Sequence, residues 1–421
     1  MTRLVHRVCA AVRLLGLASL MLAAPGSLEA GGPTYSRYGI GDRYFFGSGR
    51  SYGMGLTGIA LTGPGFINRW NPAALAATRT VLFEGSLEAS HLIATDPYGT
   101  SKYLRGEFQS LALAIPIVPA QGVALAFDIT PYSKTRYGVV KEDLNSPYPS
   151  SQTLTGTGSV TALSASASVA LTDDFLVGIR LSHLFGRTEE VLSVQFVDPG
   201  FVDSDTYVNR HYNGNMIAGS IAFSGFESML GIGGLKDVTL ALIVSSPSRL
   251  NVRADREYFS TYLSDTTLKD NGITKLPWSY GLGISYVMNN RYVLSGEVIS
   301  ERGSEASYYD APPAQMRNSL RAALGFEAMA SRELGTFWSQ VSYSVGAAYH
   351  ASSLVLGGNG LDEIFGAAGV GFPLAGNSRI RLALQGGVRG TGDDAFARES
   401  FFRLSVTLSV GEEWITRIDE D

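Results

Sequence analysis

Arg379-Ile380-Arg381-Leu382-Ala383-Leu384-Gln385-Gly386-Gly387-Val388-Arg389 is the stretch from which the rest of the chain can be read. Its odd positions carry Arg, Arg, Ala, Gln, Gly and Arg, and its even positions Ile, Leu, Leu, Gly and Val. Successive side chains of a β-strand point to opposite faces, so this segment in extended form has one polar and one apolar face. The next segment repeats the pattern, with Phe402, Leu404, Val406, Leu408 and Val410 alternating with Arg403, Ser405, Thr407 and Ser409. The same two-sidedness runs back through Val341–Ala347, Leu320–Glu327, Val177–Ser182 and Val123–Thr130 to Val81, Phe83 and Leu87 set against Glu84, Glu88 and Ser90.

Together these segments predict an all-β protein of about fourteen strands. They begin near Thr80, Leu104, Gly122, Thr155, Phe175, Asn209, Val238, Leu276, Arg291, Met316, Phe337, Leu361, Ser378 and Ser400. Short connections (116–121, 172–174, 288–290, 375–377) interleave with long polar ones (138–151, 198–206, 254–274, 303–315, 390–398), and only 225–236 and 330–335 break the rhythm. Short inner turns and long outer loops are the habit of transmembrane β-barrels. A soluble sandwich would bury its apolar faces against a second sheet and gives no reason for such a rhythm. No fixed-period repeat points to a propeller.

Composition agrees. Charged residues are 17% of the 421, under the roughly 25% usual for soluble chains, and Gly, at 49, is well above the usual share of about 7%. Beyond the N-terminal stretch no apolar run reaches the ~18 residues of a membrane helix, which excludes helical spans. A net charge of −5 without a basic patch excludes a nucleic-acid partner. Residues 1–30 read as an export signal: Arg3, Arg7 and Arg13 precede an apolar stretch from Leu14 to Ala24, with a cut expected near Ala30. The one cysteine, Cys9, falls inside it, so the mature chain is expected to lack thiol chemistry and disulfides.

Residues 31–79 fit no membrane strand. A 14-stranded barrel is wider than its own inward side chains fill, and a Gly-rich segment ahead of the first strand is suited to plug it. This hatch contains Gly49, Arg50, Gly53, Gly55 and Gly58, then Asn68, Asn71, Pro72, Ala73 and Leu75. Pro72 pushes Asn71 into an extended conformation, from which its side chain can bond the backbone ahead and start a turn. The expected organisation is signal 1–30, hatch 31–79, barrel 80–414 and charged tail 415–421.

A Gly-rich stretch followed by Asn71-Pro72-Ala73-Ala74-Leu75 just before the first strand resembles the FadL-like family of outer-membrane transporters for long-chain fatty acids and aromatic hydrocarbons. That resemblance implies a 14-stranded barrel closed by an N-terminal hatch. A relative of that family in Bacteroidetes-type bacteria is an accessory of a secretion system, and Tyr35-Ser36-Arg37-Tyr38-Gly39-Ile40-Gly41-Asp42 with the closing Leu408–Trp414 is similar to a subgroup of outer-membrane proteins from that bacterial division. The chain departs from the family at Ala74, where Gly is common, at Trp70, where Phe is frequent, and in a tail that runs past its last aromatic, Trp414.

On the lumen face the alternation puts Glu84, Glu88, Asp128, Arg180, Arg321, Arg379, Arg381, Arg389 and Arg403. The acids are candidate partners for Arg50 and Arg69, since shielded charges need opposite ones. The arginines make a partly cationic lumen, suited to a carboxylate headgroup or to a general porin wall. Tyr98, Tyr103, Tyr132, Tyr137, Tyr258, Tyr262, Trp278 and Tyr280 are candidates for the aromatic girdle. His91 and His183 are expected on lipid-facing positions, His211 by a loop and His350 at a strand end. No hydrolase, zinc-protease or nucleotide motif appears, so an enzyme, a cofactor and a metal site are not expected. The expected function is a hatch-gated outer-membrane channel of a Gram-negative bacterium that passes small hydrophobic molecules. Its partners would be outer-membrane lipid, lipopolysaccharide and the barrel-assembly machinery. The alternative is a scaffold or secretion accessory that docks other envelope proteins.

Overall fold

A computed structural model of the chain describes residues 34–412, apart from 46, 144, 261–263, 312–314, 332–335, 375 and 394. The export signal and the tail 415–421 lie outside the described residues. Fourteen antiparallel strands close on themselves. They are β1 (Val81–Asp96), β2 (Gly99–Val118), β3 (Val123–Asp143), β4 (Ser150–Ala170), β5 (Phe175–Phe196), β6 (Ser204–Phe223), β7 (Val238–Ser245 and Ser248–Ser260), β8 (Ser264–Leu276 and Ser279–Met288), β9 (Tyr292–Glu301), β10 (Gln315–Met316 and Ser319–Ala328), β11 (Ser342–Leu356), β12 (Asn359–Pro373), β13 (Arg379–Gly390) and β14 (Arg398–Glu412). Each pairs with the next, and β14 closes on β1 from Arg398↔Thr95 to Glu412↔Val81. Because the count is even, β1 begins and β14 ends at the same end of the barrel, its base; the opposite end is the rim.

The faces are inverted relative to a water-soluble protein. Leu324 is 67% exposed on the outer face of β10, while Arg321, three residues earlier, is 2% exposed on the inner one. On β13, Leu384 points out and Gln385 is buried; on β14, Phe402 points out and Ser405 is buried. Apolar side chains outside and polar ones inside suit a strand between lipid tails and an enclosed polar interior.

Two expectations change here. The stretches 138–151 and 254–274, read as long loops, belong largely to strands: the connection between β3 and β4 is 144–149, and β8 begins at Ser264 rather than near Leu276. A strand needs only about 10 residues to cross a bilayer, yet β4 has 21 and β5 has 22. Their rim halves therefore stand above the membrane, where polar residues on both faces hide the alternation while the ladder continues. The longest base connections, 224–237 and 329–341, also exceed several rim ones, such as the two residues 97–98, so the long–short rhythm is weaker than expected. Two aromatic candidates change sides too. Tyr132 and Tyr137 are buried inside the barrel, whereas Trp278 and Tyr280 stack on one another at the wall.

The wall has irregularities at prolines. β7 breaks after Ser245 and β8 after Leu276, with Pro247 and Pro277 in the two breaks. Pro131 precedes a bulge at Tyr132 on β3, and Gln109 is bulged on β2 opposite β1. Proline has no N–H to give to a ladder. From the base, β2 and β3 pair up to Leu111↔Ile129; among the described residues, no ladder bond joins their rim halves.

Candidate functional site: the hatch, the inner chamber and the side gap

The segment before β1 lies inside the barrel as a run of turns and short 3-10 helices, Thr34–Arg37, Ser51–Met54 and Pro72–Ala77. Two asparagines hold it in shape. Asn68 donates through Nδ2 to the carbonyls of Gly58 (2.7 Å) and Leu61 (2.8 Å), and its Oδ1 accepts from the amides of Trp70 and Asn71, each at 3.0 Å. Asn71 is extended (φ −110°, ψ 101°); its Oδ1 accepts from the Ala73 amide at 2.9 Å and caps the helix that Pro72 opens, while its Nδ2 donates to the Ile59 carbonyl at 2.7 Å. Leu75 and Ala73 are buried. Gly53 and Gly55 let the hatch backbone touch the wall, and Gly58 leaves room for the Trp70 ring within the hatch. A Cβ on Gly55 (φ +67°) would meet the Ala347 backbone at 2.7 Å, and one on Gly346 across from it would meet the Met54 carbonyl carbon at 2.2 Å.

Charged pairs tie hatch to wall. Arg69 lies 3.4 Å from Glu84, both fully buried, and Glu84 also accepts from the Gly49 amide and the Ser409 hydroxyl. Arg50 pairs with Glu327, an acid absent from the expected set. Glu297 was also absent, although it occupies an inward position of an alternating strand, which was the available signal. It accepts from the amides of Gly58 (2.6 Å) and Ile59 (2.9 Å) and binds the buried Arg321. Glu88 accepts instead from Gln109, and Asp128 is buried on the inner face near Arg180.

The candidate lumen arginines all face inward, but they do not form a bare cationic surface. Arg180 donates to the Arg69 carbonyl, Arg381 to the Gly65 carbonyl at 3.3 Å, Arg389 pairs with Glu399 (2.6 Å) and Asp42 (3.1 Å), and Arg403 with Glu363 (3.4 Å). Arg379 stands half-buried at the base. Charge taken from water needs a partner, and here most of it is engaged in holding the hatch and wall together. His91 and His183 lie on outward positions, whereas His350, expected at a strand end, sits within β11 and packs edge-on against Phe45 of the hatch. Among the described residues no three His, Cys, Asp or Glu side chains gather as a metal site.

On the rim side of the hatch is a chamber of about 240 Å³. Aromatic rings of the hatch (Tyr35, Tyr44, Phe45, Tyr52) and of the wall (Tyr132, Phe401) line it, beside the ion pairs just described. Burial pushes the Tyr52 hydroxyl up to about 12, so it stays neutral at any physiological pH. An outer groove of about 520 Å³ lies against the unpaired halves of β2 and β3. Leu104, Phe108 and Leu111, all exposed, mark this level of β2 as lipid-facing. Glu107, Lys134 and Arg136 line both chamber and groove. What separates the two is side chains and hatch, since no ladder closes the gap.

Comparison with known proteins places this architecture. Among solved structures, a FadL homologue of Pseudomonas aeruginosa is similar over 90% of this chain and 100% of its own, with a TM-score of 0.60 and 12% identity. The Pseudomonas putida toluene transporter TodX is similar over 89% and 100%, with a TM-score of 0.57 and 14% identity. The CymD monoaromatic hydrocarbon channel is similar over 86% and 97%, with a TM-score of 0.53 and 13% identity. At these identities the likeness is one of fold. No curated protein matches the sequence. The BamG family pattern, in contrast, matches residues 12–419, nearly the whole length, and with the closed barrel and internal plug it establishes that the chain belongs to the BamG family of outer-membrane barrels.

Proposed function

We propose that this protein is a channel of the Gram-negative outer membrane that lets small hydrophobic or amphiphilic molecules cross by diffusion, with the N-terminal hatch as its gate. The observation that carries the reading is the side gap: an aromatic-lined chamber lies behind a stretch of wall with no strand pairing, beside an outward face of β2 that is apolar at Leu104, Phe108 and Leu111. A molecule captured at the rim would rest among the rings above the hatch and leave sideways into the bilayer. The fold shared with the FadL homologue, TodX and CymD supports the reading. In this orientation the base, where β1 begins and β14 ends, faces the periplasm, and the rim faces outward.

A second reading has its own support. The chamber is small, the hatch is tied to the wall by buried pairs at Glu84, Glu297 and Glu327, and the family's name, BamG, suggests a link to barrel assembly. On this reading the barrel is an accessory subunit that docks envelope proteins and carries nothing. Uptake of a fluorescent fatty acid by liposomes holding the purified full chain, beside a 31–79 deletion, decides between them. The channel reading expects uptake faster than in empty liposomes and altered by the deletion. Uptake equal to empty liposomes for both proteins refutes it and leaves the accessory reading.

A further inference from the structure

Two charged pairs of positions face one another across the side gap. Arg105 and Glu107 occupy alternate, inward positions of β2, and Lys134 and Arg136 alternate positions of β3, at the level where ladder bonds between the strands have ended. Lys134 crosses the gap to bind Glu107, and its ammonium also lies 4.2 Å from the centre of the Tyr44 ring. Arg136 is exposed at the gap and carries no ion pair among the described residues. Behind them the hatch arm 36–44 takes the hydrogen bonds that a neighbouring strand would have taken. Asp42 and Arg43 pair with Lys134 and Ser133, the Tyr44 amide donates to the Tyr132 carbonyl at 3.0 Å, and Ser36 both accepts from the Arg136 amide (3.0 Å) and donates to its carbonyl (2.9 Å). The ion pair of Glu107 with Lys134 is thus the side-chain bolt on a gap whose inner edge the arm covers.

We propose that this bolt is opened by headgroup exchange: an anionic head arriving in the chamber replaces Glu107 on Lys134, with Arg136 as second cation, and the gap admits the attached chain to the bilayer. The proposal rests on the channel reading and narrows its substrate class to single-chain amphiphiles with a carboxylate or phosphate head. Parting Glu107 from Lys134 next to lipid, with nothing in exchange, strands two charges in a poorly solvating place. A neutral hydrocarbon offers nothing in exchange. An anion keeps Lys134 paired, and Glu107 can turn to Arg105 on its own strand. The cation excess at the gap, Lys134 and Arg136 beside Glu107, favours an anion over a cation. Glu88 and Asp42, which also border the chamber, are held by Gln109 and Arg389.

The test reads the bolt without requiring net transport. A full-length Cys9→Ser, Ser90→Cys protein, its new thiol on the chamber wall, is placed in phosphatidylcholine vesicles containing a lipid-dissolved pyrene maleimide. The labelling rate is measured with laurate, monododecyl phosphate or dodecanol. The expected result is a rise of roughly fivefold or more with at least one of the two anions and no rise with dodecanol. Added Glu107→Gln should label rapidly with no additive, and added Lys134→Gln should lose the response to anions. A response to only one anion identifies the head. The proposal is overturned if dodecanol acts as strongly as the anions, or if no additive acts and Glu107→Gln labels like its parent; mobility on unheated gels confirms that each variant is a folded barrel. Anion-dependent labelling without liposome uptake would sink the channel reading and leave the bolt, and uptake indifferent to headgroup would do the reverse.

Discussion

Glu297 serves three partners from one carboxylate: one oxygen accepts from the Gly58 and Ile59 amides, the other binds Arg321, whose guanidinium also lies against the Leu56 carbonyl. Both side chains are almost completely buried. Removing one charge from such a pair leaves the other without compensation, which typically costs about 3–5 kcal/mol. Glu297→Gln should therefore destabilise the protein by about that amount, and Glu297→Gln with Arg321→Met by clearly less, because the stranded cation is gone. Urea titration of the two variants in micelles, followed by tryptophan fluorescence, measures both. Equal losses would mean that the hatch amides, and not the arginine, set the role of Glu297. In the sequence this residue is one more glutamate on an alternating strand; its weight comes from the hatch backbone that meets it from 239 residues earlier in the chain.

Among elements, β2 and β3 combine two states in one strand each. Near the base they are joined from Val118↔Val123 to Leu111↔Ile129, and toward the rim each is bonded on one side only, apart from the hatch arm on β3. Backbone amides without a ladder partner exchange their hydrogens far faster than paired ones. Alternate amides of β2 between Thr100 and Gln109, those directed at β3, should exchange at least about tenfold faster than amides of β4 at the same height, which are bonded on both sides. Hydrogen exchange read by mass spectrometry or NMR in micelles checks it, and uniform protection along β2 would show that the gap is closed by pairing in solution. The position of this weakness was partly legible. Pro131 lacks an N–H, so the ladder had to falter near it. The bulge at Gln109 and the docking of arm 36–44 onto the β3 edge were not, because both depend on which strands become neighbours.

For the whole molecule, the barrel and its filling are separable in principle. A closed ladder of fourteen strands carries its own backbone hydrogen bonds, and a barrel of this size without a plug is wide enough for water. Deleting 31–79 should leave a folded barrel whose ion conductance in planar bilayers is roughly tenfold or more above that of the full chain. If the deletion protein fails to fold, the buried partners Glu84, Glu297 and Glu327, left bare, are the physical cause, and Glu→Gln at all three should restore folding. A folded deletion barrel that conducts no better than the intact one would mean that wall side chains, and not the hatch, occlude the lumen.

The alternation of Ile380, Leu382 and Leu384 with Arg381, Ala383 and Gln385 was enough to determine the class of fold, the approximate strand number and the direction in which each strand face looks. That follows because lipid on one side and an enclosed polar space on the other act on every residue of a strand separately, with period two. The local bend at Asn71-Pro72 was likewise written in the chain, since it involves only neighbours. Tertiary structure alone decided that the inward arginines are engaged with hatch carbonyls and wall acids, that the rim strands outlast the membrane, and that a gap guarded by Glu107 and Lys134 borders the chamber. Those features depend on groups far apart in sequence meeting in a closed barrel, and partner choice among many similar arginines and glutamates is set by that closure and not by local pattern.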